Sequence, residues 1–197
     1  MSSAAECAAP DYCEPVVGWR TWYAVERHGE FQLASLFYRV SWPWLEPLAG
    51  TCHEWRPPWR RKHDRHAPPD PACRCGIYAA SVETACSYIS PCPPRTRWPV
   101  VGEVALWGNV VECTQGWRAS IAYPKTLYVA VSGRRLRGAA RVARCLERYG
   151  VPVDVIDAAN RKNLAPTLGA GALELEPSST PSRPERRRLR PAGDGGT

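Results

Sequence analysis

Val100-Val-Gly-Glu-Val-Ala-Leu-Trp-Gly108 is the most strongly β-forming run in the chain. A strand is a pleated, half-buried surface that β-branched and aromatic side chains fill best. Three more such runs follow closely: Asn109-Val-Val-Glu-Cys113, Trp117-Arg-Ala-Ser-Ile-Ala-Tyr123 and Thr126-Leu-Tyr-Val-Ala-Val131, with Gly116 and Pro124 as punctuation. Short strands this closely spaced predict a meander or small barrel.

Working upstream, Val16-Val-Gly-Trp-Arg-Thr-Trp-Tyr-Ala-Val25 reads as a strand, Arg27-His-Gly-Glu30 as a turn, and Phe31-Gln-Leu-Ala-Ser-Leu36 as the returning strand of a hairpin. The prolines of Trp42-Pro-Trp-Leu-Glu-Pro47 make a kinked connector, because proline cannot sit in a central strand. Leu48 to Cys52 predicts a short third strand, and Gly76-Ile-Tyr-Ala-Ala80 resumes apolar character. Val82 to Ile89 reads as one or two helical turns, broken by Pro91-Cys-Pro-Pro94.

Downstream, Ser132 is placed to cap a helix from Arg135 to Tyr149, with Leu136, Ala139, Ala140, Ala143 and Leu146 as its packing stripe. Gly150 and Pro152 fit its stop, and Val151-Pro-Val-Asp-Val-Ile156 reads as a final edge strand. The class expected is α+β: a small, mainly antiparallel sheet or partly open β-barrel, a Cys/His loop and one C-terminal helix.

Composition sets the limits. At 197 residues and 44% hydrophobic content the chain suffices for one ordinary core. Residues 1–14 read as a disordered leader, 15–157 as a single β-rich domain with its loop at 52–75, and 158–197 as a disordered basic tail, where Gly, Pro, Ser and Arg dominate. No apolar run reaches the roughly 20 residues of a membrane-spanning helix, and Met1-Ser-Ser-Ala-Ala-Glu-Cys7 lacks the features of a signal peptide. The expected address is the cytoplasm. Nine cysteines make an odd number for a disulfide framework, so in a reducing compartment they are expected free or metal-bound.

The informative segment runs from Cys52 to Cys75, where three of the four His and three of the nine Cys fall. Zinc takes four donors in a tetrahedron, drawn from Cys thiolate and His nitrogen. Cys52, His66, Cys73 and Cys75 are the set chosen, with Gly76 permitting the backbone to turn after the Cys-x-Cys pair. His63 and His53 are the substitutes, and Cys86 with Cys92 a rival pair. Residues 53–72 form a long loop without periodicity, of a kind uncommon in a compact domain unless something holds it. Ordering about 20 coil residues costs ~1–2 kcal/mol each, and a structural zinc returns ~10 kcal/mol or more. The metal can fix the base of the loop. The plain alternative is two buried thiols beside a solvated basic loop.

The net charge of +7 admits a nucleic-acid partner, although an Arg-, Ala-, Pro- and Gly-rich composition also follows from a high-GC genome. Trp55 and Trp59 are interleaved with Arg56, Arg60, Arg61, Lys62 and Arg65. Such cations contact phosphates while indoles stack on unpaired bases. Arg134, Arg137, Arg141, Arg144 and Arg148 form one stripe at helical spacing, whose ordinary role is a solvated face. No catalytic motif is present; a nucleotide-binding Gly-rich loop is also missing. If the chain were a zinc- or cysteine-dependent enzyme, Glu54, Asp64 or Asp70 would be the base. The expected function is a non-enzymatic, zinc-stabilised binding module for nucleic acid, or else for protein.

His66-Ala-Pro…Cys73-Arg-Cys75-Gly-Ile-Tyr-Ala79 resembles a string found in a group of small actinobacterial and phage proteins. Val17-Gly-Trp-Arg-Thr-Trp22, Gly102-Glu-Val-Ala-Leu-Trp-Gly108 and Gly116-Trp-Arg-Ala119 are similar to the same group, over roughly residues 15 to 150. The resemblance implies one domain and a bacterial cytoplasm; it carries no activity.

Overall fold

The computed structural model describes residues 14–37, 40–52, 66–90, 93–160 and 163–174. Strand β1 (Val16–Arg27) turns at His28-Gly29, both in the left-handed region, into antiparallel β2 (Glu30–Ser35). This is the hairpin expected. The short strands β3 (Leu48–Ala49) and β4 (Ile77–Ala80) both lie antiparallel to β6 (Gly116–Pro124).

The two runs on either side of Gly108 form one strand, β5 (Arg97–Cys113), rather than two. Its register against β6 shifts between Trp107 and Val110, where Gly108 takes a φ of 74°. A bulge bends a strand and increases its twist, so β5 can pair with β1 along one edge and coil onto β6 along the other. The pairings β1–β5, β5–β6, β6–β4 and β4–β1 run in a circle. The last is one residue pair, Trp19 with Ala80, so the sheet is partly ring-like rather than a closed barrel. Strand β7 (Leu127–Val131) continues from β5, and β8 (Val153–Asp157) runs parallel to β7 at the edge.

Among the described residues three α-helices cover this mostly antiparallel sheet. The first, α1 (Val82–Ser87), starts at Ser81, whose hydroxyl accepts the Thr84 N–H. The second, α2 (Leu136–Leu146), follows a 3-10 turn at Gly133–Arg135. Ser132 heads that turn without a side-chain capping bond, so the expected Ser132 cap is corrected. The expected stripe also rotates. Ala139, Val142, Ala143 and Leu146 are buried, while Leu136 and Ala140 face out. A second 3-10 turn, Glu147–Tyr149, ends at Gly150 in the left-handed conformation expected of that glycine.

The third helix, α3 (Leu164–Glu174), lies in the stretch read as tail. It buries Leu164, Ala165 and Leu168 in a small cluster with Ala85, Ile89, Val101 and Ala130. The larger cluster lies under α2 and contains Trp22, Leu33, Trp42, Val100, Val104 and Leu146. Trp22 and Trp42 meet edge to face at 5.4 Å. Tyr149 pins this core: its hydroxyl accepts the Leu33 N–H at 3.0 Å and donates to the Trp42 carbonyl at 2.9 Å. Among the described residues no helix is long and apolar enough to cross a membrane.

Candidate metal centre

The strands bring the two ends of the Cys/His segment to one place. After β3 the chain is fixed by the Gly50 N–H donating to the Ser120 carbonyl at 2.6 Å, and Cys52 follows two residues later. At the other end, Asp70 organises a tight turn. Its carboxylate accepts the Ala72 N–H at 2.8 Å and its carbonyl accepts the Cys73 N–H at 3.1 Å. Cys75 then precedes Gly76, which takes a φ of 107° before entering β4. A Cβ on Gly76 would meet the Pro69 side chain at 3.0 Å and the Ala119 carbonyl at 3.3 Å, so both conformation and space require glycine there.

These constraints converge Cys52, His66, Cys73 and Cys75. One donor atom from each lies within 4.8 Å of all the others. The Cys52 and Cys73 sulfurs are 3.7 Å apart, and His66 Nε2 is 3.1 Å from the Cys75 sulfur. Cys73 and Cys75 are buried, while Cys52 and His66 are half-buried. The sulfur separation is far beyond the ~2.05 Å of a disulfide, and all three cysteines are free thiols. Burial, with the neighbouring Cys73 and Cys52 sulfurs, pushes the Cys75 thiol above its ordinary range. Three sulfurs packed this closely have a reason to ionise only beside a cation. The group can hold a metal ion.

Arg118, on β6, holds the main chain of the cluster. It is 7% exposed. One terminal nitrogen donates to the carbonyls of Cys73, Cys75 at 3.2 Å and Asp70 at 3.4 Å, and Nε donates to the Cys113 sulfur at 3.3 Å. Its guanidinium also lies over the Tyr78 ring at 5.9 Å, and the Tyr78 hydroxyl donates to the Arg74 carbonyl at 2.7 Å. Sequence reasoning passed over Arg118. Its only signal is a charge inside the apolar strand Trp117-Arg118-Ala119.

The other candidates divide. Cys86 is a core thiol on α1, and burial with Glu83 pushes its pKa up to about 11. Its supposed partner Cys92 lies outside the described residues, as do His53, His63, Glu54 and Asp64. So do all the residues of the aromatic and basic loop: Trp55, Arg56, Trp59, Arg60, Arg61, Lys62 and Arg65. Asp70 is a turn-former. Arg141 on α2 pairs with Glu26 at 3.0 Å and lies over Phe31, while Arg148 in the 3-10 turn that follows pairs with Glu30 and lies over Trp44. Those pairs neutralise half of Arg137, Arg141, Arg144 and Arg148, and the Arg134 side chain is outside the described residues. The helix face is thus bound back onto β1 and β2. In comparisons with family models, curated proteins and solved structures, nothing matches the chain.

Proposed function

We propose that this chain is a non-enzymatic, zinc-stabilised module that binds single-stranded nucleic acid with the loop its metal closes. The observation that carries the reading is the convergence of Cys52 and His66, the residues flanking 53–65, on Cys73 and Cys75. A loop clipped at both ends loses much of its closure entropy before any ligand arrives. The clipped segment holds Trp55, Trp59 and five cations. That combination supplies stacking and phosphate contacts without base-specific geometry.

Zinc is the ion that the donor chemistry favours. Three thiolates and one imidazole are soft-to-borderline ligands, a set that calcium and magnesium disfavour. A tetrahedron with ~2.3 Å zinc–sulfur bonds has sulfur–sulfur edges of about 3.8 Å. The 3.7 Å between Cys52 and Cys73 is compatible with such an edge. Four protein donors also fill the shell, whereas a catalytic zinc keeps one position for water or substrate. An enzyme reading would need that open position.

The test is fluorescence anisotropy with a labelled oligothymidylate of about 12 nucleotides, as a function of salt, for the zinc-loaded protein and after chelation. Binding should weaken steeply with salt and fall sharply on chelation. Absence of binding at low salt to both single- and double-stranded oligonucleotides would overturn the nucleic-acid reading and leave a protein partner as the module's target.

A further inference from the structure

Beside the metal centre lie two adjoining clefts, of about 800 and 420 Å³, that share Arg20, Ser35, Arg74 and Gly76 in their walls. The larger is within the size range of ligand sites. Its rim carries rings that a solvated surface does not need. Phe37 is 75% exposed, Tyr88 48% and Tyr78 43%, and Phe37 and Tyr88 meet edge to face at 5.6 Å. Trp19 and Trp117 form further parts of the wall.

Among the described residues the charge in these clefts is one-sided: Arg20 and Arg74 are the charged residues of their walls, and no described Asp or Glu lines either. Arg20 projects from β1 and is half-buried. One terminal nitrogen donates to the Tyr78 carbonyl and the other to the Ser35 hydroxyl at 3.4 Å. Its Nε is buried with no hydrogen-bond partner. A guanidinium has five N–H groups, so three remain unused. The guanidinium also lies over the Trp42 ring at 5.3 Å, but a ring face is not a counter-ion. Burial holds the Arg20 pKa down at about 10, a sign that the cation lacks a compensating anion.

We infer that the larger cleft seats one nucleotide unit, its base against the rim aromatics and its phosphate on Arg20 and Arg74. This assignment rests on the nucleic-acid reading above and adds a second contact point to the loop. Planar rings accept any base by stacking, and the two arginines supply the anion site that the cleft's charge demands. The assignment also couples the two sites. Arg74 stands between the ligands Cys73 and Cys75, so the metal fixes the main chain that carries one of the phosphate-binding cations.

The test compares wild type with Arg20→Lys, Arg74→Ala and Phe37→Ala, against the labelled oligothymidylate and against thymidine monophosphate. Arg20→Lys keeps the charge and guards against loss of folding, which circular dichroism checks for each variant. Each substitution should weaken oligonucleotide binding by about tenfold, and Arg74→Ala should lower the salt slope by about 0.7. Monophosphate should protect Phe37 and Tyr88 resonances from solvent. Oligonucleotide binding unchanged in all three folded variants would overturn the cleft assignment while leaving the loop reading intact. Saturable, Arg20-dependent monophosphate binding without oligonucleotide binding would support the cleft as a free-nucleotide site and remove the strand reading. Binding of neither, or preference for an acidic, tyrosine-containing polypeptide, would overturn both.

Discussion

Arg118 places one buried guanidinium on three main-chain carbonyls, those of Asp70, Cys73 and Cys75. Removing it leaves buried acceptors unpaired and frees the turn that aims two ligands. Arg118→Met is expected to cost about 2–4 kcal/mol of stability and to weaken zinc binding by about 10- to 100-fold. Arg118→Lys should fall between, since it keeps charge but loses the fork. Competition with a chromophoric chelator measures the affinity, and urea unfolding the stability. Cys86 gives a pH signature away from the metal. Its thiol ordinarily ionises near 9, and burial moves this to about 11 in the fold. Between those values the unfolded chain binds fewer protons than the folded one. Stability is therefore intact below pH 9 and falls as pH rises toward 11, by up to ~2–3 kcal/mol. Cys86→Ala should flatten this slope in urea midpoints measured across that window. At this scale the Cys/His group was legible in the sequence because metal binding demands particular residue types close together. Arg20 and Arg118 were not, because their roles come from cross-strand neighbours such as Tyr78, set by register.

Helix α3 illustrates what an element owes to its surroundings. Leu164-Ala-Pro-Thr-Leu-Gly-Ala-Gly-Ala-Leu-Glu174 contains a proline and two glycines, and its intrinsic helix preference is poor. Its burial of Leu164 and Leu168 against α1 and the sheet is a contact between distant parts of the chain, which local composition does not announce. Leu168→Ala should cost about 2–4 kcal/mol and speed amide exchange in α1 more than in α2. Exchange rising equally in both helices would contradict separate packing clusters. The β1–β2 hairpin and α2 were readable because turn residues and periodicity are local signals. The unity of β5 was not, since Gly108 reads equally as a strand end or a bulge. The stripe on α2 came out rotated because alanine spacing marks several faces at once, and the choice falls to Val142 and Tyr149 packing on the sheet.

At the scale of the molecule, a ring of strands brings together segments far apart in sequence. β1 meets β5 across Val16–Leu106, and β3 and β4 both reach β6. The class was legible from closely spaced β runs. Which strands would close the circle was not, because long-range pairing depends on the whole set of partners. This topology puts Cys52 next to Cys73 and Cys75. A metal held there would tie the chain after β3 to the turn before β4. The most direct measurement is the zinc content of the purified chain by elemental analysis, alongside a Cys73→Ser/Cys75→Ser variant. One zinc per chain is expected in the wild type, with loss from the double variant and a lower melting temperature. A metal-free wild type, or an unchanged zinc content in the variant, would contradict the metal centre at Cys52, His66, Cys73 and Cys75.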